Sequence, residues 1–337
     1  MNETTHRRAA ATVILARAIG LGFLVTLATA TAQDLNIPRP VDELERELAT
    51  APLKIASAEI SRPKAQGDIT LKAELSFGGQ PPYRVKLRRA QPGAEEFNNR
   101  PRYDLAAYEL QKLFLDPAEY VVPPTALRTV PLAELLPYAP QAQPTFAGSD
   151  EVFVVLQYWL HEVRVIEDVY DAQRFEADFP YARNIGQLNV FTLLISHGDS
   201  NVGNFLISRA KAGARVFSID NGVAFAFNES DRGELWKPIR VGRLPSETVM
   251  RLRKITKDEL EHRLGIIGTW HRQDGRWVAV PASGNFNASR GVRFKGDFVQ
   301  MGLTRMEIAD VSRRLERLLK DIDVGEIGVT IGPRQPK

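Results

Sequence analysis

The sequence predicts an α+β protein with a β-rich N-lobe and a mainly helical C-lobe, on three observations. Short alternating apolar runs fill Leu53 to Arg89, a continuous apolar run of buried-strand type covers Val152 to Tyr158, and stretches on either side of that run carry apolar residues at three- and four-residue steps. The order is therefore strands, one helix, a strand, a connector, helices, a short hairpin and helices. A doubly wound sheet would alternate strand and helix regularly, and this chain does not.

The elements follow in order. Residues 1–32 have the three-part layout of a secretory signal peptide: a basic region ending at Arg17, the apolar run Ala18–Ala28, and small residues at Ala28-Thr29-Ala30 and Ala30-Thr31-Ala32 that suit cleavage. The apolar run is short for a membrane span, so the expectation is an exported chain with no span after cleavage, or one retained as a signal anchor. Residues 33–52 are polar and proline-dotted, a lead-in segment. Ile69–Leu75, the turn Gly78-Gly79-Gln80-Pro81-Pro82 and Tyr83–Leu87 read as a β-meander within an N-lobe of residues 53–156. Ala106, Leu110, Leu113 and Phe114 give residues 104–115 a helical spacing, which Val122-Pro123-Pro124-Thr125 closes. Tyr138–Gly148, rich in Pro, Gln and Ala, is a loop before the strand at 152–158. A C-lobe over 157–325 is largely helical to Ser196, then carries a hairpin from Phe205–Ile207 through Ala212-Gly213 to Val216–Ile219. A polar, Gly-rich insertion spans Asp274–Arg293. A last amphipathic helix uses Ile308, Val311, Leu315, Leu318, Leu319 and Ile322, and residues 326–337 form a tail.

Composition excludes some functions. The 337 residues carry a formal charge of +3, and loss of the first 32 leaves about +1, so no strongly basic face for nucleic acid is implied. Cysteine is absent, which rules out disulfides, thiolate metal sites and cysteine nucleophiles.

The chemistry concentrates in His197-Gly198-Asp199-Ser200-Asn201-Val202-Gly203-Asn204 and Ser218-Ile219-Asp220-Asn221-Gly222. Phosphoryl transfer asks a protein for alignment of an acceptor and neutralisation of phosphate charge by divalent ions held on oxygen ligands. Asp199 can accept a hydroxyl proton. Asn204 offers an amide oxygen to metal, and Asp220 a carboxylate to the same ion, with the intervening hairpin bringing the two together. An isolated Asp-Asn-Gly is usually a turn; its place behind a strand, paired with the upstream Asp and Asn, favours a site.

These motifs resemble the protein-kinase-like superfamily, in its atypical branches. His197-Gly198-Asp199 with Gly203-Asn204 is similar to the catalytic loop of aminoglycoside and choline phosphotransferases. Asp220-Asn221-Gly222, standing where Asp-Phe-Gly is usual, and Val223-Ala224-Phe225 resemble the metal-binding segment of phosphatidylinositol 3-/4-kinase domains and of the secreted four-jointed and Golgi casein kinase type. The stretch Arg102–Leu110 with Val122-Pro123-Pro124-Thr125 resembles the N-lobe helix of those families, and Tyr83–Leu87 their ATP-lysine strand. The resemblance spans about residues 67 to 225. It implies a two-lobed protein-kinase-like fold binding ATP with Mg2+ or Mn2+. Lys86 would contact phosphate and pair with an acid on the following helix, where Asp104 replaces the usual Glu and Glu109, Glu95 and Glu96 are rivals. Gln157 and Tyr158 would end the strand that becomes the adenine hinge. Asn201 stands where many kinases have a phosphate-steadying Lys, a place another cation such as Arg183 could fill. His197 reads as a brace of the loop; Trp236-Lys237 and Arg240–Arg243 read as packing and surface.

Three functions stay open at this stage: an exported kinase with a hydroxyl acceptor on a protein, a small-molecule or lipid-head-group kinase, and a pseudokinase acting through partner binding. Asn201 and Asp104 favour the last.

Overall fold

The computed structural model describes residues 34–61, 70–96, 100–210, 214–225 and 233–330. The expected signal peptide, the turn at Ala212-Gly213 and most of the tail lie outside these residues. No helix among the described residues is long and apolar enough to cross a membrane.

Helix α1 (Val41–Thr50) precedes strands β1 (Leu53–Ile60), β2 (Thr70–Phe77) and β3 (Tyr83–Arg89), helix α2 (Pro101–Gln111), strand β4 (Thr125–Pro131), a single turn α3 (Leu132–Leu135) and strand β5 (Glu151–Tyr158). After β6 (Val163–Arg164) come helices α4 (Ala172–Ala177) and α5 (Phe179–Ile195), the hairpin β7 (Phe205–Ser208) and β8 (Val216–Ser218), β9 (Arg243–Pro245), α6 (Ser246–Leu252) and α7 (Lys257–Leu264). The chain continues through β10 (Gly268–Gln273), β11 (Arg276–Ala279), β12 (Val292–Lys295), β13 (Phe298–Met301), α8 (Arg305–Asp323) and β14 (Gly328–Thr330). The α+β class and the β-meander are as the sequence predicts.

The first sheet has five strands in the order β1-β2-β3-β5-β4, all antiparallel. Alternation along its strands separates two cores. Val85, Leu87, Val152, Val154 and Leu156 face a cluster with Leu44 and Leu48 of α1, while Phe153 and Val155 face the larger cluster that contains α2 and α5. Lys86 and Arg88, at the intervening positions of β3, therefore share the face turned toward α2.

Two expectations need correction and one needs an addition. The lead-in at 33–52 contains α1: Leu44 and Leu48 are fully buried, a four-residue step worth roughly 2 kcal/mol per side chain, and this outweighs the surrounding polarity. The segment after Pro123-Pro124 was expected only to stop a helix; it forms β4, an edge strand closed by Pro131. The polar insertion at Asp274–Arg293 is a loop over 280–291 set within a second antiparallel sheet ordered β11-β10-β13-β12, which the sequence pattern does not foresee. Asp274-Gly275, both at positive φ, is its two-residue hairpin turn. Trp270 and Trp277 from this sheet pack edge-on against Phe153 and Phe146, so the C-terminal insertion buttresses β5.

The helix expected at 104–115 runs from Pro101 to Gln111, opened by a proline where a missing N–H costs nothing. Helix α8 falls where its apolar steps place it, begun by a reciprocal cap between Thr304 and Glu307.

Candidate active site

Helix α5 delivers the first motif. It is buried along most of its length and ends at Ser196 in the left-handed conformation, which turns the chain sharply into His197. His197 is fully buried, and desolvation pushes its imidazole down to about 4, so the ring is neutral and braces the loop as expected; its Nδ1 accepts from the backbone N–H of Asp199 at 3.3 Å.

Asp199, Asn201 and Asn204 form one hydrogen-bonded unit. Asn204 Nδ2 donates to the Asp199 carbonyl at 2.6 Å and to its Oδ2 at 3.1 Å, while Asn201 Nδ2 donates to Oδ1 at 2.7 Å. Asn201 Oδ1 in turn accepts from Gly203 N–H at 2.9 Å. The residue that departs from the kinase pattern thus aims the Asp199 carboxylate and caps the following turn.

The hairpin brings the second motif back as the spacing requires. Phe205 pairs with Ser218, and the N–H of Ile219 donates to the carbonyl of Asn204 at 2.9 Å. Asp220 follows with φ 62 and ψ 51, a left-handed conformation that costs an aspartate about 1–2 kcal/mol. The two motifs also touch directly: Gly198 N–H donates to Val223 O at 3.1 Å, and a Cβ on Gly198 would lie 2.7 Å from that oxygen. Only glycine permits this approach.

The opposite wall comes from the first sheet. Lys72, Lys86, Gln157 and Thr125 form a row of direct cross-strand partners over β2, β3, β5 and β4. Lys86 Nζ stands 3.5 Å from Asp220 Oδ1, and Arg88 also ion-pairs with that oxygen. Arg88, 2% exposed, bonds Asp104 Oδ2 of α2 at 2.8 Å through its other terminal nitrogen. A Cβ on Gly222 would lie 2.4 Å from Arg88 NH1 and 3.3 Å from Asp104 Oδ2, so the glycine of Asp-Asn-Gly makes room for this pair.

A cavity of about 900 Å3 lies between the two walls, and Lys86, Gln157, Tyr158, Asn204 and Asp220 all line it. Asp199 sits behind Asn204, joined to the cavity through that one hydrogen-bonded neighbour, and Asp104 lies a step further back, reaching the cavity residue Asp220 through Arg88. The acid of α2 that meets this cluster is held by Arg88, a correction to the expectation that placed Asp104 with Lys86. Two of its three rivals are engaged elsewhere: Glu109 with Lys112 and Arg263, and Glu95 with Arg100 and Arg102. Arg183 is bound to Glu119 and Glu247 and is not among the cavity residues, so it does not stand in for a lysine at 201.

Strand β5 ends at Tyr158, as expected of the segment read as a hinge. Tyr158 N–H is taken by Pro124 O at 2.9 Å, Trp159 N–H by Arg84 O at 3.2 Å, and the Gln157 amide donates to Thr125 Oγ1 at 3.1 Å. These donors are committed within the sheet, while Gln157, Tyr158 and the following Leu160 line the cavity.

Among the described residues, no group of three or more His, Asp or Glu side chains is gathered around a metal position. The donors that a hard cation would find here are the Asn204 amide oxygen and the Asp220 carboxylate. Asn204 turns its Nδ2 to Asp199, which leaves its oxygen end for a ligand. Two protein oxygens completed by phosphates and water suit Mg2+ or Mn2+, so the donor set fits.

Neither protein-family models nor characterised proteins match this chain by sequence. A solved structure described as the Golgi casein kinase is similar in fold, with a TM-score of 0.51 and 12% identity over 85% of this chain and 74% of that one. The likeness establishes a kinase-like fold.

Proposed function

We propose that this chain is an exported, ATP-dependent kinase that transfers the γ-phosphoryl group to a hydroxyl, with a protein as acceptor. The observation that carries the reading is the convergence of Lys86, Asn204 and Asp220 on one cavity, with Asp199 hydrogen-bonded to Asn204 at its edge.

In this reading Lys86 binds the phosphates, and Asn204 and Asp220 hold Mg2+ or Mn2+. The ion's role is to neutralise charge on the β- and γ-phosphates. Asp199, its rotation fixed by Asn201 and Asn204, aligns the acceptor hydroxyl and takes its proton. The acceptor oxygen bonds to the γ-phosphorus as the bond to the β–γ bridging oxygen breaks, releasing ADP. Export rests on the signal-like N-terminus.

Metal-dependent turnover of ATP by the purified chain tests the reading, beside Asp199→Ala and Asp220→Ala. Turnover by the wild type and its loss in both variants are expected. A wild type that binds no nucleotide with either metal would overturn it.

A further inference from the structure

The strand lysine of a kinase site normally has two tasks, meeting phosphate and holding the helix acid. Here the two tasks fall on different side chains. We propose that Arg88 is a positioning residue that ties Asp104 of α2 to Asp220, while Lys86 meets phosphate. The inference rests on the kinase reading and deepens it.

Four observations point the same way. Lys86 and Arg88 are two residues apart on one strand and so share its α2-facing side. Lys86 lines the cavity with its side chain 18% exposed, whereas Arg88 is 2% exposed and is not among the lining residues. Arg88 spends one terminal nitrogen on Asp104 and the other on Asp220, a bridge that the planar guanidinium fork can make and a single ammonium makes poorly. Gly222 is the residue whose missing Cβ gives Arg88 its place.

Length supports the assignment. Asp104 is one methylene shorter than glutamate and Arg88 reaches further than lysine, so the pair spans a similar gap with the extra length moved from helix to strand. Lys86 and Arg88 both approach Oδ1 of Asp220, which fixes the rotation of a carboxylate already held in a left-handed backbone. Arg88 would thereby act on metal binding through Asp220, and Lys86 on nucleotide binding directly.

The test measures binding of trinitrophenyl-ATP to the full chain as Mn2+ is titrated, with thermal melting as a check on folding. Arg88→Lys is expected to raise the Mn2+ midpoint by roughly 10- to 100-fold, the effect typical of groups that orient a metal ligand. Arg88→Lys with Asp104→Glu restores the span and should return the midpoint to within about threefold of wild type. Lys86→Ala should weaken nucleotide binding at saturating Mn2+ and shift the midpoint by less than about threefold, because the closer Arg88 contact still holds Asp220. If Arg88→Lys does not fold, the isosteric Asp104→Asn replaces it, with a midpoint shift in the same direction. An unshifted midpoint in folded Arg88→Lys or Asp104→Asn, or an equal shift in Lys86→Ala, overturns the division of tasks while leaving the kinase reading intact. Absence of wild-type binding defeats the kinase reading, and this inference with it.

Discussion

Helix α2 carries two ionic clusters anchored two residues apart, and they differ in what they leave open. Arg102 bonds Glu95 at 2.9 Å and Glu307 of α8 at 2.7 Å, with Tyr103 donating to the same Glu307. Burial alone would raise the Glu307 carboxyl, but the bonds from Arg102 and Tyr103 hold it below its ordinary value. The same burial pushes the Tyr103 hydroxyl up to about 12. Asp104, two residues on, belongs to the second cluster, with Arg88, Lys86 and Asp220. There the last carboxylate is 41% exposed, in a strained backbone, at the wall of a cavity. A closed cluster fastens a helix. An open one, anchored at its buried end and exposed at the other, presents charge to a ligand.

Substitutions should separate the two. Asp220→Asn keeps the shape of the open cluster and removes its charge, and turnover is expected to fall on the order of a thousandfold with little change in melting temperature. Comparable loss of stability would make Asp220 part of the scaffold instead. Glu307→Ala should do the reverse: taking one of two carboxylates from the buried Arg102 costs about 1–3 kcal/mol in denaturant unfolding, while turnover per folded molecule drops less than about tenfold. Loss of turnover in a fully folded Glu307→Ala protein would show that the α8 clamp belongs to the machinery.

Smaller effects sharpen the contrast. His197, buried beside the open cluster, is held neutral with its pKa at about 4, below its ordinary value of 6.5. The unfolded chain therefore binds one more proton between those values, and stability present above pH 6.5 is lost as pH falls toward 4. This is a slope of about 1.4 kcal/mol per pH unit from this residue. Urea unfolding across that range should show it, and His197→Asn should flatten it. The ion pair of Arg84 and Glu74, each about half exposed, should matter least: Glu74→Ala is expected to change stability by less than about 0.5 kcal/mol.

The two motifs at the cavity end of the open cluster were more legible in the sequence than the closed cluster. Asp199, Asn204 and Asp220 lie close in the chain, and a hairpin of fixed spacing joins them, so local periodicity foretells their meeting. The contact of Arg102 with Glu307 crosses 205 positions, and no local pattern encodes it. Arg88 lies between these extremes. Period-two alternation puts it on the same face as Lys86, yet among Arg84, Arg88 and Arg89 it reads as one more solvated strand cation. Only the buried carboxylate of Asp104 distinguishes it. Helix α1 and the second sheet failed for a related reason: Leu44 with Leu48, and Asp274 with Gly275, are short signals inside polar stretches, and the surfaces that bury them come from distant strands.

The central claim, that Asn204 and Asp220 form one metal-phosphate site facing Lys86, is tested most directly by a crystal structure with Mn2+ and a non-hydrolysable ATP analogue. An anomalous Mn2+ peak about 2 Å from oxygens of both Asn204 and Asp220, with phosphate on Lys86, is predicted. Nucleotide bound outside this cavity, or Mn2+ bound without either residue, would contradict the account.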